Sequence, residues 1–134
     1  MIRRTSTHIS LAAAGLLALA FSVAATQAPT VKRTILQRAD ISVPGREVVT
    51  AKAEIPASGS TGRHTHPGEE VSYVLDGMIM LEVEGQPAQM LKAGDVFIIP
   101  AGKVHNATNH AQGATTIIAN YIVEKDKPLA TQAP

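Results

Sequence analysis

The chain has 134 residues, enough for one ordinary domain, with 12 lysines and arginines against 11 acidic residues and a formal net charge of +1. This balance argues against a basic nucleic-acid arm and against an acidic tail, because neither sign dominates. Only 3% of the residues are aromatic and Trp is absent, so a base-stacking surface for nucleic acid is not expected. Cysteine is absent, which excludes disulfides and thiolate metal sites.

The first 28 residues have the features of a secretory signal peptide. Arg3 and Arg4 precede an uncharged apolar run from Ile9 to Phe21, and small residues follow as far as Ala28. The run is shorter than the roughly 20 apolar residues that span a membrane, although a retained N-terminal anchor is the alternative. We therefore expect cleavage near residues 24–28, export to the periplasm or the medium, and no membrane attachment of the mature chain.

The rest of the chain divides into a domain over residues 29–124 and a flexible tail over 125–134, which has two prolines and no strand signal. Short β-branched or alternating runs recur between turn residues, without a helical period. Asp76–Gly77 suits a type I′ hairpin turn. This spacing predicts an all-β sandwich or barrel, with strands over 48–55, 71–75, 78–83, 88–91, 96–99 and 115–123.

Three histidines occupy positions that can converge. His64 and His66 are two residues apart, so on a strand they project from one face. Glu70 follows after a turn, and His105 comes from a later strand. Three imidazoles and one carboxylate suit Mn, Fe, Co, Ni, Cu or Zn and disfavour Ca and Mg. On chemistry alone Glu69 could replace Glu70, and an isolated H-x-H is more often only polar surface.

Two motifs surround these residues. The first reads H-x-H-x3-E-x6-G from His64 to Gly77, and the second reads G-x5-P-x-G-x2-H-x3-N from Gly94 to Asn109. The pair closely resembles the cupin family, in particular its small single-domain type-2, quercetin dioxygenase-like members. The second motif matches the family pattern at every fixed position. The first departs only at its leading glycine, which falls at residue 59 where the pattern would place residue 58, a serine here.

The resemblance implies a single antiparallel jelly-roll β-barrel in which His64, His66, Glu70 and His105 bind one divalent transition metal. The family spacing favours Glu70 over Glu69 as the ligand, and Glu70 is also our candidate catalytic base.

Strand alternation then predicts which side chains line the interior. If Glu70 faces inward, Ser72 and Val74 also face inward and Tyr73 faces outward. The further candidates for the lining are Met78 or Met80, Phe97 or Ile99, and Asn120 or Tyr121. Asn106 and Asn109 would orient the last histidine or cap its turn, and His110 is expected to be exposed.

The resemblance favours an exported metal-dependent oxygenase, of the quercetinase-like dioxygenase kind, acting on a small oxygen-bearing organic substrate. The alternatives are isomerase, decarboxylase or lyase chemistry at the same metal, and a non-catalytic protein that binds metal or a small ligand. No further acid or base is identifiable at a pocket position, which argues against an isomerase. We also expect a homodimer, with residues 31–43 as an exchanged edge strand, and no nucleic-acid partner.

Overall fold

The computed structural model describes residues 30–134, so the predicted signal peptide over 1–28 lies outside the described residues. This part of the chain forms ten β-strands and no helix, which confirms the all-β prediction. Accordingly, the described residues contain no helix long and apolar enough to cross a membrane. The strands are β1 (Lys32–Asp40), β2 (Arg46–Ile55), β3 (His64–Thr65), β4 (Gly68–Asp76), β5 (Met78–Val83), β6 (Gln89–Lys92), β7 (Val96–Ile99), β8 (His105–Asn109), β9 (Thr115–Glu124) and β10 (Thr131–Gln132).

The strands form two antiparallel sheets of five strands each. Sheet A has the order β1-β2-β9-β4-β7, and sheet B has the order β10-β3-β8-β5-β6. No strand ladder joins the two sheets within residues 30–134, so they do not close into the predicted single barrel. Two facing antiparallel sheets are consistent with a jelly roll, in which a double sheet rather than full closure protects the strand edges.

The core lies between the sheets because alternate residues of each strand point inward. In sheet A every second residue of β2 and β9 is buried, and in sheet B the same holds for β5 and β8. The prediction for β4 is confirmed: Ser72 and Val74 are at most 1% exposed, whereas Tyr73 is 42% exposed. The inward positions are therefore mostly apolar, and the few polar side chains among them are notable.

The chain crosses from sheet A to sheet B at Gly77. The predicted type I′ hairpin at Asp76–Gly77 is wrong, because β4 and β5 belong to different sheets. Gly77 has a φ of 87°, but Asp76 is not among the residues with positive φ, and a type I′ turn needs both. A Cβ atom at Gly77 would lie 2.2 Å from Thr115 Oγ1, so glycine is required for the close approach to β9.

Both ends of the described chain supply edge strands. The region 31–43 contains β1, which pairs with β2 at the edge of sheet A, and the predicted homodimer stays a prediction. The C-terminal segment carries β10, for which the sequence shows no strand signal. Thr131 pairs with Thr65, and Gln132 pairs with His64, so this segment extends sheet B beside β3. The mobility predicted for the tail stays a prediction.

Ser58 has a left-handed backbone at the position where the cupin motif has its leading glycine. Its φ is 58°, a conformation that costs a residue with a Cβ atom about 1–2 kcal/mol. Gly59 does not have positive φ, and it is needed for a different reason: a Cβ atom there would lie 2.8 Å from the carbonyl oxygen of Pro56. The loop therefore keeps the conformation that suits glycine although the glycine is displaced by one residue.

We predict that Ser58→Gly raises the free energy of unfolding by about 0.5–1 kcal/mol, because the relief of the left-handed strain exceeds the added flexibility of the unfolded chain. Urea denaturation measures this change. Gly59→Ala is the matched comparison and should destabilise the protein through its contact with Pro56. A Ser58→Gly variant that is less stable than the wild type would contradict this account of the loop.

Candidate metal centre

Three histidine side chains converge between the sheets. His64 lies in β3 and pairs directly with His105 in β8, and their ring centroids are 4.2 Å apart. His66 follows β3, with its ring centroid 4.8 Å from that of His64 and 5.0 Å from that of His105. All three residues are at most 4% exposed, and one ligand nitrogen from each lies within 4.8 Å of the others. The triad could therefore hold a single metal ion.

The backbone fixes the tautomer of each imidazole. His64 Nδ1 lies 2.8 Å from the carbonyl oxygen of Gly62, and His105 Nδ1 lies 2.9 Å from that of Lys103. His66 Nδ1 contacts the carbonyl oxygen of Leu129, in the C-terminal segment. A carbonyl oxygen only accepts, so each Nδ1 carries the proton and donates it. Each Nε2 is then left with a free lone pair, which is the arrangement that metal-ligating histidines use.

Two of these lone pairs lack a hydrogen-bond partner. The Nε2 atoms of His66 and His105 are buried and make no hydrogen bond within the described residues. Glu70 Oε2 lies 3.0 Å from His66 Nε2 and 3.4 Å from His105 Nε2, but these approaches do not have hydrogen-bond geometry. Buried polar atoms without partners are rare and call for a missing ligand. A cation between the nitrogens and the carboxylate would satisfy all of them, so the residues present fit a metal.

Glu70 is the inward-facing carboxylate of β4. Burial alone would raise the pKa of its carboxyl, but the neighbouring imidazoles of His105 and His66, when they are cationic, and the hydroxyl of Ser72 hold this pKa below its ordinary value. Ser72 Oγ donates to Glu70 Oε1 at 2.6 Å. Glu69 instead has a side chain that is 48% exposed and lies 4.0 Å from Arg46. The structure thus brings Glu70, and not Glu69, to the triad, and its role as the fourth ligand stays a prediction.

A cavity of about 20 Å³ adjoins His64, His105 and Glu70. It is large enough for about one water molecule beside an ion. Its other lining residues are mainly apolar: Ala53, Leu81, Phe97, Ala107, Ile117 and Ala119, with Arg33, Thr61 and Tyr121 as the polar members. Of the candidate pocket-lining residues, Phe97 and Tyr121 line this cavity. Met78, Met80, Ile99 and Asn120 do not line this cavity.

Tyr121 is a buried polar residue of the cavity that lies beside the candidate ligands. It is 2% exposed, it pairs with Glu70 across β4 and β9, and its ring centroid lies 4.6 Å from that of His66. Burial and the charge of Glu70 raise the pKa of Tyr121, which the charge of Arg33 partly opposes. The phenol therefore stays protonated near neutral pH and offers the cavity a hydroxyl donor.

Arg33 is a charged cavity residue that the sequence did not reveal. β1 is exposed along most of its length, so no alternation shows which face carries functional side chains. The strand register shows the direction of its side chain, because Arg33 pairs with Ala53, which is 5% exposed and points into the core.

The polar residues that follow His105 serve the loops. Asn109 donates to the carbonyl oxygens of Ile55, Pro56 and Gly113 and accepts from Thr115 and Ala111. Asn106 bonds to Ser60, Thr61, Glu82 and Thr108. Neither is hydrogen-bonded to the His105 ring, so turn capping is the role that the contacts support. His110 is exposed, as predicted.

We predict that the metal-free protein loses stability as the pH falls below 6.5. Burial, reinforced by the neighbouring imidazoles, lowers the pKa of His64 to about 4, whereas the unfolded chain takes up that proton near 6.5. The contribution of His64 is therefore fully present above pH 6.5 and falls by about 2 kcal/mol between pH 8 and pH 5. Protonation of Glu70 lowers the free energy of unfolding only below its ordinary pKa of about 4.3, which is outside that pH interval.

Urea denaturation in the presence of a chelator, repeated from pH 8 to pH 5, measures this slope. His64→Gln removes the titrating group and should flatten it, whatever its effect on absolute stability. His110→Gln, which changes an exposed histidine, should keep the wild-type slope. Equal slopes in the wild type and in His64→Gln would show that His64 is not the group responsible.

Comparison with known proteins supports the jelly-roll fold described above. A cupin domain model matches residues 51–121, more than half of the chain. Among curated proteins, no sequence matches this chain significantly.

Three solved structures illustrate the similarity of fold. The DMSP lyase DddQ from Ruegeria pomeroyi DSS-3 is 19% identical with a TM-score of 0.65, over 77% of this chain and 51% of that one. A cupin-like protein from Thermotoga maritima is 24% identical with a TM-score of 0.62, over 77% and 75% of the two chains. KdgF from Halomonas sp. is 21% identical with a TM-score of 0.58, over 72% and 81%.

This chain spans only about half the length of the DMSP lyase, and all three identities are low, so these likenesses show the fold alone. The two facing sheets, the converging histidines and the domain match agree with one another. The chain belongs to the cupin family.

Proposed function

We propose that this protein is a metal-dependent cupin enzyme that acts on a small oxygen-bearing organic molecule, with an oxygenase reaction as the first candidate. The observation that carries the proposal is the arrangement of the three imidazoles. Each donates its Nδ1–H to a backbone carbonyl, and two of the three Nε2 atoms are buried without a partner. Such preorganised nitrogen ligands are characteristic of a metal site and have no evident purpose in an apolar core.

His64, His66, His105 and Glu70 would hold one divalent first-row transition ion. When bound, the ion supplies Lewis acidity towards substrate oxygen atoms and, for a redox-active ion, reactivity with dioxygen. With these four residues as ligands, any remaining coordination positions of the ion would be available to substrate. The carboxylate of Glu70 is also placed to accept a proton from a substrate hydroxyl.

The apolar lining limits which substrates fit. Phe97, Leu81 and Ile117 line the cavity and exclude water, so that charges within it interact strongly. The enclosed space of about 20 Å³ beside the ligands is too small for a bulky flavonol. A larger cleft of about 350 Å³ also borders His105, but charged residues line it, among them Arg63, and the His105 side chain is only 3% exposed.

A second candidate is oxygen-independent chemistry at the same metal, such as a lyase or isomerase reaction. Tyr121 favours it, because its protonated hydroxyl lies in the same cavity as the ionised carboxylate of Glu70. The two offer a hydrogen-bond donor and an acceptor to a substrate in the cavity. The sequence had offered no second such group. The DMSP lyase has a similar fold, which makes a lyase reaction compatible with this architecture.

The test is turnover with and without oxygen. Protein loaded separately with Mn, Fe, Co, Ni, Cu or Zn is incubated with small hydroxy, keto and dicarboxylic acids and with catechol. Oxygen uptake is followed with an electrode, and products are identified by NMR in aerobic and anaerobic samples. We expect turnover only with oxygen, and Glu70→Gln should lower it by about 100-fold or more. Glu69→Gln, a neighbouring exposed carboxylate, should keep the wild-type rate.

Equal turnover without oxygen would overturn the oxygenase reaction and favour the second candidate. A metal-loaded protein that converts none of these compounds in either atmosphere would contradict both, and would favour a non-catalytic binding protein.

A further inference from the structure

Arg33 lies between the interior cavity and solvent. It lies in the edge strand β1, and its residue is exposed overall, yet its side chain lines the cavity together with Glu70 and Tyr121. The register explains this position, because Arg33 pairs with Ala53 and cross-strand partners share one face of the sheet. The guanidinium is therefore at the mouth of the candidate metal site.

This arginine has no acidic partner, unlike the other basic residues of β1. Lys32 lies 3.8 Å from Glu54, and Arg38 is paired with Glu47. Within residues 30–134, Arg33 takes part in no ion pair. A guanidinium beside a largely apolar cavity, without a carboxylate of its own protein, is available for an anion that enters from solvent.

The charges of the metal-loaded site also favour an anionic ligand. With an ion bound through their Nε2 lone pairs, the imidazoles would contribute no charge, Glu70 one negative charge, the ion two positive charges and Arg33 one more. The site would thus carry a net charge of about +2 before substrate binds. A neutral catechol or alcohol would leave that charge uncompensated, whereas an organic anion would balance it in a region where water is mostly excluded.

We propose that the substrate is a small organic acid and that Arg33 binds its carboxylate, which makes Arg33 a specificity-determining residue. Guanidinium and carboxylate groups match in a planar two-bond geometry that a lysine cannot reproduce. The hydroxyl of Tyr121 provides a further donor on the same side of the cavity. This inference rests on the proposed function, since the other oxygen atoms of the substrate would face the metal.

Two probes of nearly equal size test the inference. Malonate has two carboxylates, whereas malonamate replaces one of them with a neutral amide. Their affinities for zinc-loaded protein are measured by calorimetry, because zinc has no redox chemistry that would consume the probes. We expect the wild type to prefer malonate by about 10- to 100-fold, the range of a hydrogen bond to a charged group.

Three variants identify the group responsible. Arg33→Gln should bring the preference for malonate close to unity, and Arg33→Lys should retain part of it. Lys32→Gln is the matched control, because it removes the adjacent charge of β1, and it should keep the wild-type preference. All variants should still hold one zinc per chain by elemental analysis, since none changes a metal ligand.

The outcomes separate the inference from the proposed function. A wild type that holds no zinc would overturn the metal site, and the role of Arg33 would fall with it. A zinc-loaded wild type without preference for malonate, or an Arg33→Gln variant that keeps the preference, would overturn only the inference. Tighter binding of inorganic phosphate than of malonate would overturn the assignment to carboxylates.

Discussion

Three hydrogen bonds from imidazole Nδ1 atoms to backbone carbonyls are the interactions on which this site depends. The carbonyls belong to Gly62, Lys103 and Leu129, which lie in three separate segments of the chain. Because a carbonyl accepts only, each bond fixes one tautomer and leaves Nε2 free to bind a metal. Sheet B gives the bonds their geometry, since β3, β8 and β10 are adjacent in it. The fold thus determines the protonation of the ligands as well as their positions.

In the metal-free protein, the same arrangement lowers the free energy of unfolding. The Nε2 atoms of His66 and His105 are buried without hydrogen bonds, and the ionised Glu70 is buried beside them. Buried groups of this kind are destabilising unless a partner compensates them. An ion bound only by the folded state would compensate them and would stabilise the protein in proportion to its affinity. The same small cluster of side chains therefore determines both the metal-dependent stability and the proposed function.

The local part of this site was predictable from the sequence. Ligand spacing on strands put His64 and His66 on one face, and strand alternation correctly placed Ser72 and Val74 inside and Tyr73 outside. His105 was a candidate ligand by its chemistry, the cupin motifs supported it, and the antiparallel pairing of β3 with β8 brings it to His64.

The features that the sequence did not reveal depend on contacts between distant segments. The role of Leu129 belongs to its backbone carbonyl, which has no sequence signature. Arg33 lies in a strand without alternating burial, so its inward direction is visible only from its pairing with Ala53. Asp76–Gly77 has a hairpin composition, yet the chain changes sheets there because Gly77 packs against Thr115.

The most direct test of the central claim is X-ray absorption spectroscopy of the protein loaded with one equivalent of zinc. Three imidazole nitrogens and at least one oxygen should appear at about 2.0–2.1 Å, with the multiple-scattering pattern of histidine rings. His105→Ala should reduce the imidazole count to two. A wild-type spectrum with two or fewer imidazoles, or one that does not change in this variant, would contradict a site built on His64, His66 and His105.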